Sequence, residues 1–423
     1  MIAPFTNEAT LKRKIRQHLK ELGFVKNKDG ELCPPDTSKE TYRHLHRIQR
    51  QEKLARCKPW LEDQISKLKK HFAAGAEIDP ANISPKLEEI SPKDKHLAYL
   101  FRLASLTWSI PVSNGYGRRM RFLVWDQRNG KLIGLIGLAD PVFNMNARDR
   151  AIGWKAQDRS DRLVNVMDAC VLGAIPPYNQ LLCSKLVACL VRTKEVERAF
   201  KLKYGQTQGI ISGIKKHARL ACVTTTSALG RSSVYNRLKL GGIEYLQPVG
   251  FTAGWGHFQI PDSLFKDLRK FLKRKRHRYA NGHQYGNGPN WRIRVVRAAL
   301  DKLGINSEIL KHNLEREVFV CSLADNAHDV LCGRDSKPTF ENLKSVEEVS
   351  DAALDRWIIP RAENRPAFRE WTVDQTLGLI AAPLAGGNAL PYFSLRVKLP
   401  RKHSGFASFA DRPPFPSNSR ISQ

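Results

Sequence analysis

Cations dominate the chemistry that this chain can offer. Lys266, Arg269, Lys270, Lys273, Arg274, Lys275, Arg276 and Arg278 are opposed only by Asp262 and Asp267. Arg292, Arg294 and Arg297 follow after a stretch rich in glycine and asparagine. Each phosphate that such a tract neutralises releases condensed counterions, so roughly six to ten contacts give a large, salt-sensitive affinity with little sequence preference. Tyr279, Tyr285 and Trp291 are interleaved with the cations, as stacking of unpaired bases requires. The competing reading is a solubilising face, but so one-sided a run repels itself unless a polyanion is present. The tract is therefore assigned to nucleic acid, with DNA as the expected partner.

Other candidate chemistry is weaker. Tyr235, in the run Ser232–Leu240, could serve as an acid, and Asp168, inside an apolar run, as a base. A tyrosine on a short amphipathic element is more often a packing residue, and a buried aspartate needs a cationic partner, which nearby arginines can supply. Asp140, Asp149, Asp158 and Asp161 could hold magnesium for a nuclease, yet Arg148, Arg150, Arg159 and Arg162 accompany them, so ion pairing is the preferred reading. His277, His283 and His328 are too scattered for a metal site, and the adjacent His328-Asp329 lacks a nucleophile. The eight cysteines contain no CxxC pair. Those at 170, 183, 189, 222 and 321 sit in apolar runs and read as buried reduced thiols, so neither a structural zinc nor any cofactor is expected.

Composition narrows the classes. In 423 residues, 70 basic side chains against 41 acidic give a net charge of +29, which favours polyphosphate partners over any other. An apolar share of 42% is ordinary for a folded protein. No apolar run approaches a membrane span and no signal-peptide core is present, so a cytoplasmic protein without membrane contact is expected.

The elements that must position these groups centre on Met120–Leu190. Met120–Asp126 and Lys131–Ala139 are strand-like runs flanking Asn129-Gly130, a strong hairpin signal. Val166–Ile175 is a third strand, stopped by Pro176-Pro177, and helical spacing begins at Tyr178 and runs to about Tyr204. Before this core, Thr10–Phe24 and about Ser38–Phe72 read as basic helices, and Asp79–Pro92 as a semi-rigid linker broken by turns. His96–Ile110 reads as a helix passing into a strand. Arg219–Ser227, Ile243–Val249 and Trp255–Ile260 are strand-like, Ser232–Leu240 reads as a short helix, and Asp262–Arg278 and Trp291–Leu303 as basic helices. Phe319–Leu323 is a short strand within a mostly helical C-terminal part. The expected division is 1–95, a basic helical region and linker; 96–280, an α/β core; 281–403, a mostly helical region; and 404–423, a disordered tail.

This order of elements resembles the GNAT acyltransferases, in which a central strand runs into a glycine-rich helix N-terminus that holds the pyrophosphate of acyl-coenzyme A. Here the turn reads Pro176-Pro177-Tyr178-Asn179-Gln180-Leu181-Leu182-Cys183-Ser184, without a glycine, so the resemblance implies a degenerate acyl-coenzyme A loop. A closer resemblance, to the DruA proteins of Druantia anti-phage defence systems, is carried by Gly137–Trp154, Arg159–Asp168, Glu317–Leu323 with Ala324-Asp325-Asn326, and Leu354–Phe368. It implies a defence role beside a helicase-like partner and other Druantia subunits, and it supplies no catalytic residues. The expected protein is thus an α/β (α+β) fold, a degenerate GNAT-like mixed sheet with basic helical flanks, binding nucleic acid without catalysis. The alternatives are a GNAT-type acyltransferase using Tyr235 and a metal-dependent nuclease of a defence or mobile element.

Overall fold

A computed structural model of the chain describes residues 7–206, 213, 217–282 and 290–381. The expected disordered tail, His283 and Tyr285 lie outside the described residues. Two short strands, β1 (Val25–Lys26) and β2 (Leu32–Cys33), form a small ribbon. The others build one eight-stranded mixed sheet: β3 (Pro85–Glu89), β4 (Arg119–Asp126), β5 (Lys131–Ala139), β6 (Val166–Ala174), β7 (Cys222–Thr226), β8 (Leu238–Leu240), β9 (Ile243–Phe251) and β10 (Glu317–Ser322). Their spatial order is β3-β4-β5-β6-β7-β10-β9-β8. Every pairing is antiparallel except that of β6 with β7, which is parallel.

The β4–β5 hairpin forms where Asn129-Gly130 marks it. Gly130 takes a left-handed φ of 69°, and the Asn129 side chain accepts from the Lys131 amide at 3.0 Å. Both strands are nearly continuous apolar runs because both faces of the sheet are covered. On one face, helices Cys183–Leu190, Lys194–Tyr204 and Val346–Ala353 pack on Phe122, Ile136, Met167 and Leu172. On the other, helices Arg47–Leu68 and Lys95–Ser105 cover Leu123, Leu135, Val171 and Ile175. A bulge, where the β5 partner slips between Gly137 and Leu138, puts the successive residues Cys170 and Val171 on the same face.

A separate core joins distant parts of the chain. Ile15 and Leu19 of helix Asn7–Leu22 pack with Leu268 and Phe271 of helix Asp262–Arg274 and with Val296 and Leu300 of helix Trp291–Lys302.

Several expectations are corrected. Ser232–Leu240 is not a helix: turns lead into β8, in which Leu238 and Leu240 are buried around an exposed Lys239, and Gly241 and Gly242 at φ 54° and 78° close a hairpin onto β9. Trp255–Ile260 forms no strand; Trp255 makes only an isolated bridge to Lys311. Helix Lys95–Ser105 ends without passing into a strand. The segment at 79–92 is not merely a linker, since it contributes edge strand β3. The helical run from Tyr178 is broken twice, by Leu182 at φ 62° and again before Thr193. Strand β10, from the expected C-terminal helical region, lies inside the sheet between β7 and β9. All eight cysteines are free; Cys183, Cys189, Cys222 and Cys321 are buried and Cys170 partly so.

Two buried histidines join the N-terminal helices to the sheet side of the second core. His46 stacks on Phe258 with ring centroids 4.1 Å apart, Phe258 meets His312 edge-on at 4.8 Å, and Arg316 lies 2.8 Å from His46 Nε2. Burial first, and the Arg316 charge second, hold both imidazoles down to about 3. Because the folded protein resists their protonation, stability falls as pH drops below their ordinary range, by about 2 kcal/mol per histidine at pH 5. Thermal unfolding at pH 7.5 and pH 5.0 should show a drop of several degrees on acidification; a flat profile contradicts neutral burial of this pair.

Candidate nucleic-acid interface

The cationic tract is mostly one helix face. In Asp262–Arg274, Leu264, Phe265, Leu268, Phe271 and Leu272 are buried, which turns Lys266, Lys270, Lys273 and Arg274 to solvent on the opposite side. The helix stops there, and Arg276 takes a left-handed φ of 51° that redirects the chain. Lys266, Lys270, Lys273, Arg274 and Arg276 are exposed and have no carboxylate partner among the described residues. Lys275 is paired with Glu8 at 2.8 Å.

The remaining cations are held by the protein to different degrees. Arg292 bonds Asp262 and the Ile260 carbonyl, each at 2.7 Å, and lies 4.3 Å from the Phe265 ring centre. Arg269 donates to the Ala280 carbonyl at 2.7 Å and lies over Trp291. These two arginines tie the helices together, whatever else they do. Arg278 lies over Tyr279 and Arg297 over Trp255, while Arg294 and Arg297 are exposed on helix Trp291–Lys302. Trp291 meets Phe265 edge-on at 5.5 Å, and Tyr279 packs against the second core. Their rings are engaged in packing, with only part of their surface left open.

The sequence reading underrated helix Asn7–Leu22. Lys14 pairs with Asp267, and a groove of about 570 Å³ runs between the two helices, lined by Thr10, Lys14, Lys270, Lys273 and Arg274. Arg13 and Arg16 are also exposed on the first helix. Their signal was present as a basic face at helical spacing; their proximity to the main tract was not, because the two helices are 240 residues apart.

The candidate catalytic groups belong to the middle of the sheet. Strands β6 and β7 pair only from Val166 to Asp168 against Cys222 to Thr224. Beyond that point Tyr235 fills the gap: its hydroxyl donates to the Leu172 carbonyl at 2.7 Å, and its ring meets Phe319 edge-on. Burial holds that hydroxyl's proton tightly, far above its ordinary range. Asp168 accepts from Thr224 Oγ1 at 2.8 Å and has no ion-pair partner among the described residues. Burial pushes its carboxyl up to about 6, with the Thr224 bond and the Arg148 charge opposing the rise.

The turn after β6 offers little backbone to a ligand. Pro176 and Pro177 have no N–H, and the Asn179, Gln180, Leu182 and Lys185 amides donate to the Ile175, Pro177, Tyr178 and Leu182 carbonyls, while Tyr178 is buried with its hydroxyl on Asp126. The four aspartates considered for magnesium are occupied. Asp140 pairs with Arg118 at 2.6 Å, Asp149 with Arg148 and Arg159, and Asp158 with Arg162, while Asp161 accepts from Gln157. Among the described residues no three metal-ligating side chains gather in one place.

The family described as Druantia protein DruA matches residues 36–333, which include all eight strands of the mixed sheet. The chain belongs to the DruA family. It is similar to a Druantia protein DruA of Escherichia coli (strain UMEA 4076-1), 50% identical over 364 residues that cover 86% of this chain and 90% of that protein. No solved structure matches. Among the described residues no helix is long and apolar enough to cross a membrane.

Asp168 gives a pH test of the strand junction. A folded-state carboxyl raised to about 6 binds more protons than the unfolded chain between pH 4 and 6, so its penalty grows as pH rises through that window and is complete above it. Asp168→Asn keeps an oxygen for Thr224 and removes the buried charge. The variant should be more stable than the parent by about 1–2 kcal/mol at pH 7.5, with the gain vanishing near pH 4. Equal differences at both pH values, measured by denaturant unfolding, would show that the carboxylate carries no such penalty.

Proposed function

We propose that this chain is a nucleic-acid-binding component of a Druantia anti-phage defence system, built on a degenerate GNAT-like core and acting in the cytoplasm beside a helicase-like partner. The observation that carries the nucleic-acid part is the row of five exposed, carboxylate-free cations on and just beyond helix Asp262–Arg274, bordered by the basic helix Asn7–Leu22. A row of this kind grips phosphates by counterion release, without reading bases. DNA is the expected polymer. The defence role and the other Druantia subunits as partners rest on family membership. Eight free thiols accord with a reducing compartment.

Support for a GNAT-like core comes from the central strand β6, which runs into a turn and then helix Cys183–Leu190. The acyltransferase reading retains one favourable observation, the Tyr235 hydroxyl lying where β6 and β7 part. Against it stand the glycine-free turn and the use of that hydroxyl on the Leu172 carbonyl. Titration with acetyl-coenzyme A should leave the melting temperature unchanged at millimolar ligand; a saturable rise of several degrees restores the acyltransferase reading.

The main test is a gel shift over a salt series, comparing the parent with the variant carrying Lys273→Ala, Arg274→Ala, Lys275→Ala and Arg276→Ala. The variant should bind DNA at least tenfold more weakly at low salt. Its plot of log affinity against log salt should be shallower by about three to four phosphate contacts. An unchanged slope places the contact surface elsewhere.

A further inference from the structure

The structure carries a second concentration of cations, and this one lines a cavity rather than a helix face. A space of about 590 Å³ opens between helices Arg47–Leu68 and Lys95–Ser105 and the sheet strands β4, β5 and β6. Its rim presents Lys53 and Arg56 from the first helix, Arg102 from the second, and Arg119 and Arg121 from β4. No aspartate or glutamate lines it. The floor is apolar: Phe101 and Val171, from the core on this face of the sheet, are 7% and 3% exposed.

Internal partners do not account for these charges. Of the five, only Arg56 meets a carboxylate among the described residues, Asp262 at 2.8 Å. Lys53 donates to the Val112 carbonyl at 2.8 Å, and Arg102 reaches the Cys57 sulfur at 3.2 Å while lying 4.0 Å from the Trp60 ring centre. Arg121 lies over the Phe101 ring at 5.6 Å, and the Arg119 side chain makes no hydrogen bond or ion pair among the described residues. The two arginines alternate with Met120 along β4, so both project to the same side of the strand. Like charges gathered over an apolar floor repel one another, and their low-dielectric surroundings magnify that cost. Burial, together with Arg56 and Arg102, accordingly weakens the hold of Lys53 on its proton. An incoming polyanion offsets this mutual repulsion.

A ligand suited to this space must be part apolar and part anionic, of small-molecule size. A bare inorganic anion leaves the floor unfilled, and a fatty acid uses a single charge. We propose that the cavity is a nucleotide-binding site, with base and sugar against Phe101 and Val171 and the phosphates between the β4 arginines and Lys53 and Arg102. The nucleotide is either free or the 5′-phosphorylated end of a strand, since both offer the same chemistry. Arg56, paired with Asp262 in the first turn of the basic helix, places the cavity rim beside that helix. This site is independent of the proposed DNA-binding face, and either can fail alone.

The test uses the full-length protein and fluorescence anisotropy with two probes: a labelled ATP analogue, and a single-stranded 12-mer compared with and without a 5′-phosphate. The variants are Arg119→Gln, which changes one exposed side chain, and Arg119→Ala with Arg121→Ala, each checked for an unchanged melting temperature. Saturable binding of the ATP analogue, weakened at least tenfold by the double variant and several-fold by Arg119→Gln, identifies a free nucleotide. A tenfold preference for the phosphorylated 12-mer, abolished in the same variants, identifies a strand end. Both effects should survive the four alanine changes at 273–276. Neither probe binding, or binding that is equal in parent and folded variants, overturns the proposal.

Discussion

The fold depends on a junction of three residue pairs. Strands β3 to β6 form one antiparallel unit and β7, β10, β9 and β8 another, and only Val166–Asp168 against Cys222–Thr224 joins them in the ladder. A parallel join this short leaves carbonyls on β6 without strand partners, and buried carbonyls need donors. Side chains supply them. Thr225 Oγ1 donates to the Ala169 carbonyl at 2.9 Å, and Tyr235 to the Leu172 carbonyl. Thr224 meets the Asp168 carboxylate. Tyr235 is thus placed as a structural bridge, and the neighbouring partly shielded carboxylate is the electrostatic cost of that arrangement.

Carboxylates in this protein are largely spent on internal ties. Asp140 holds Arg118, whose guanidinium also reaches the carbonyls of Leu163, Val164 and Val166 ahead of and at the start of β6. Asp149 holds Arg148 and Arg159, Glu89 holds Lys203 across from edge strand β3, and Asp262 is shared by Arg56 and Arg292. With these acids committed, cations among the described residues gather on surfaces that lack carboxylates. Two such places stand out, the outer face of helix Asp262–Arg274 and the rim of the cavity under helix Lys95–Ser105. One is an extended row along a helix, bordered by a groove, and suits a polymer backbone. The other is concave with an apolar floor and suits a single amphipathic anion.

Much of the architecture was legible locally. The Asn129-Gly130 hairpin, the third strand ended by prolines and the amphipathic pattern of Asp262–Arg274 all rest on neighbours in sequence, and each formed where its residues indicate. Ser232–Leu240 is ambiguous by itself because Val234 and Leu238 are spaced for a helix while Leu238 and Leu240 are spaced for a strand, and Gly241-Gly242 can end a helix as readily as turn a hairpin. Edge strand β3 was hidden by the prolines around it, which an edge tolerates because one side of its backbone needs no partner.

Charge, the place of the hairpin turn and the absence of glycine from the turn after β6 are properties of the sequence by itself, since they require only residue types and their spacing. Tertiary structure decided which cations are free. Arg269 and Arg292 look like their neighbours in the chain, but contacts with Ala280, Asp262 and Ile260 commit them to packing. The cavity was likewise decided by folding: Lys53, Arg102 and Arg121 are unremarkable within their own segments and meet only when two helices cover one sheet face. Long-range proximity follows from burying apolar faces against one another, and no local pattern encodes which charges that burial will bring together.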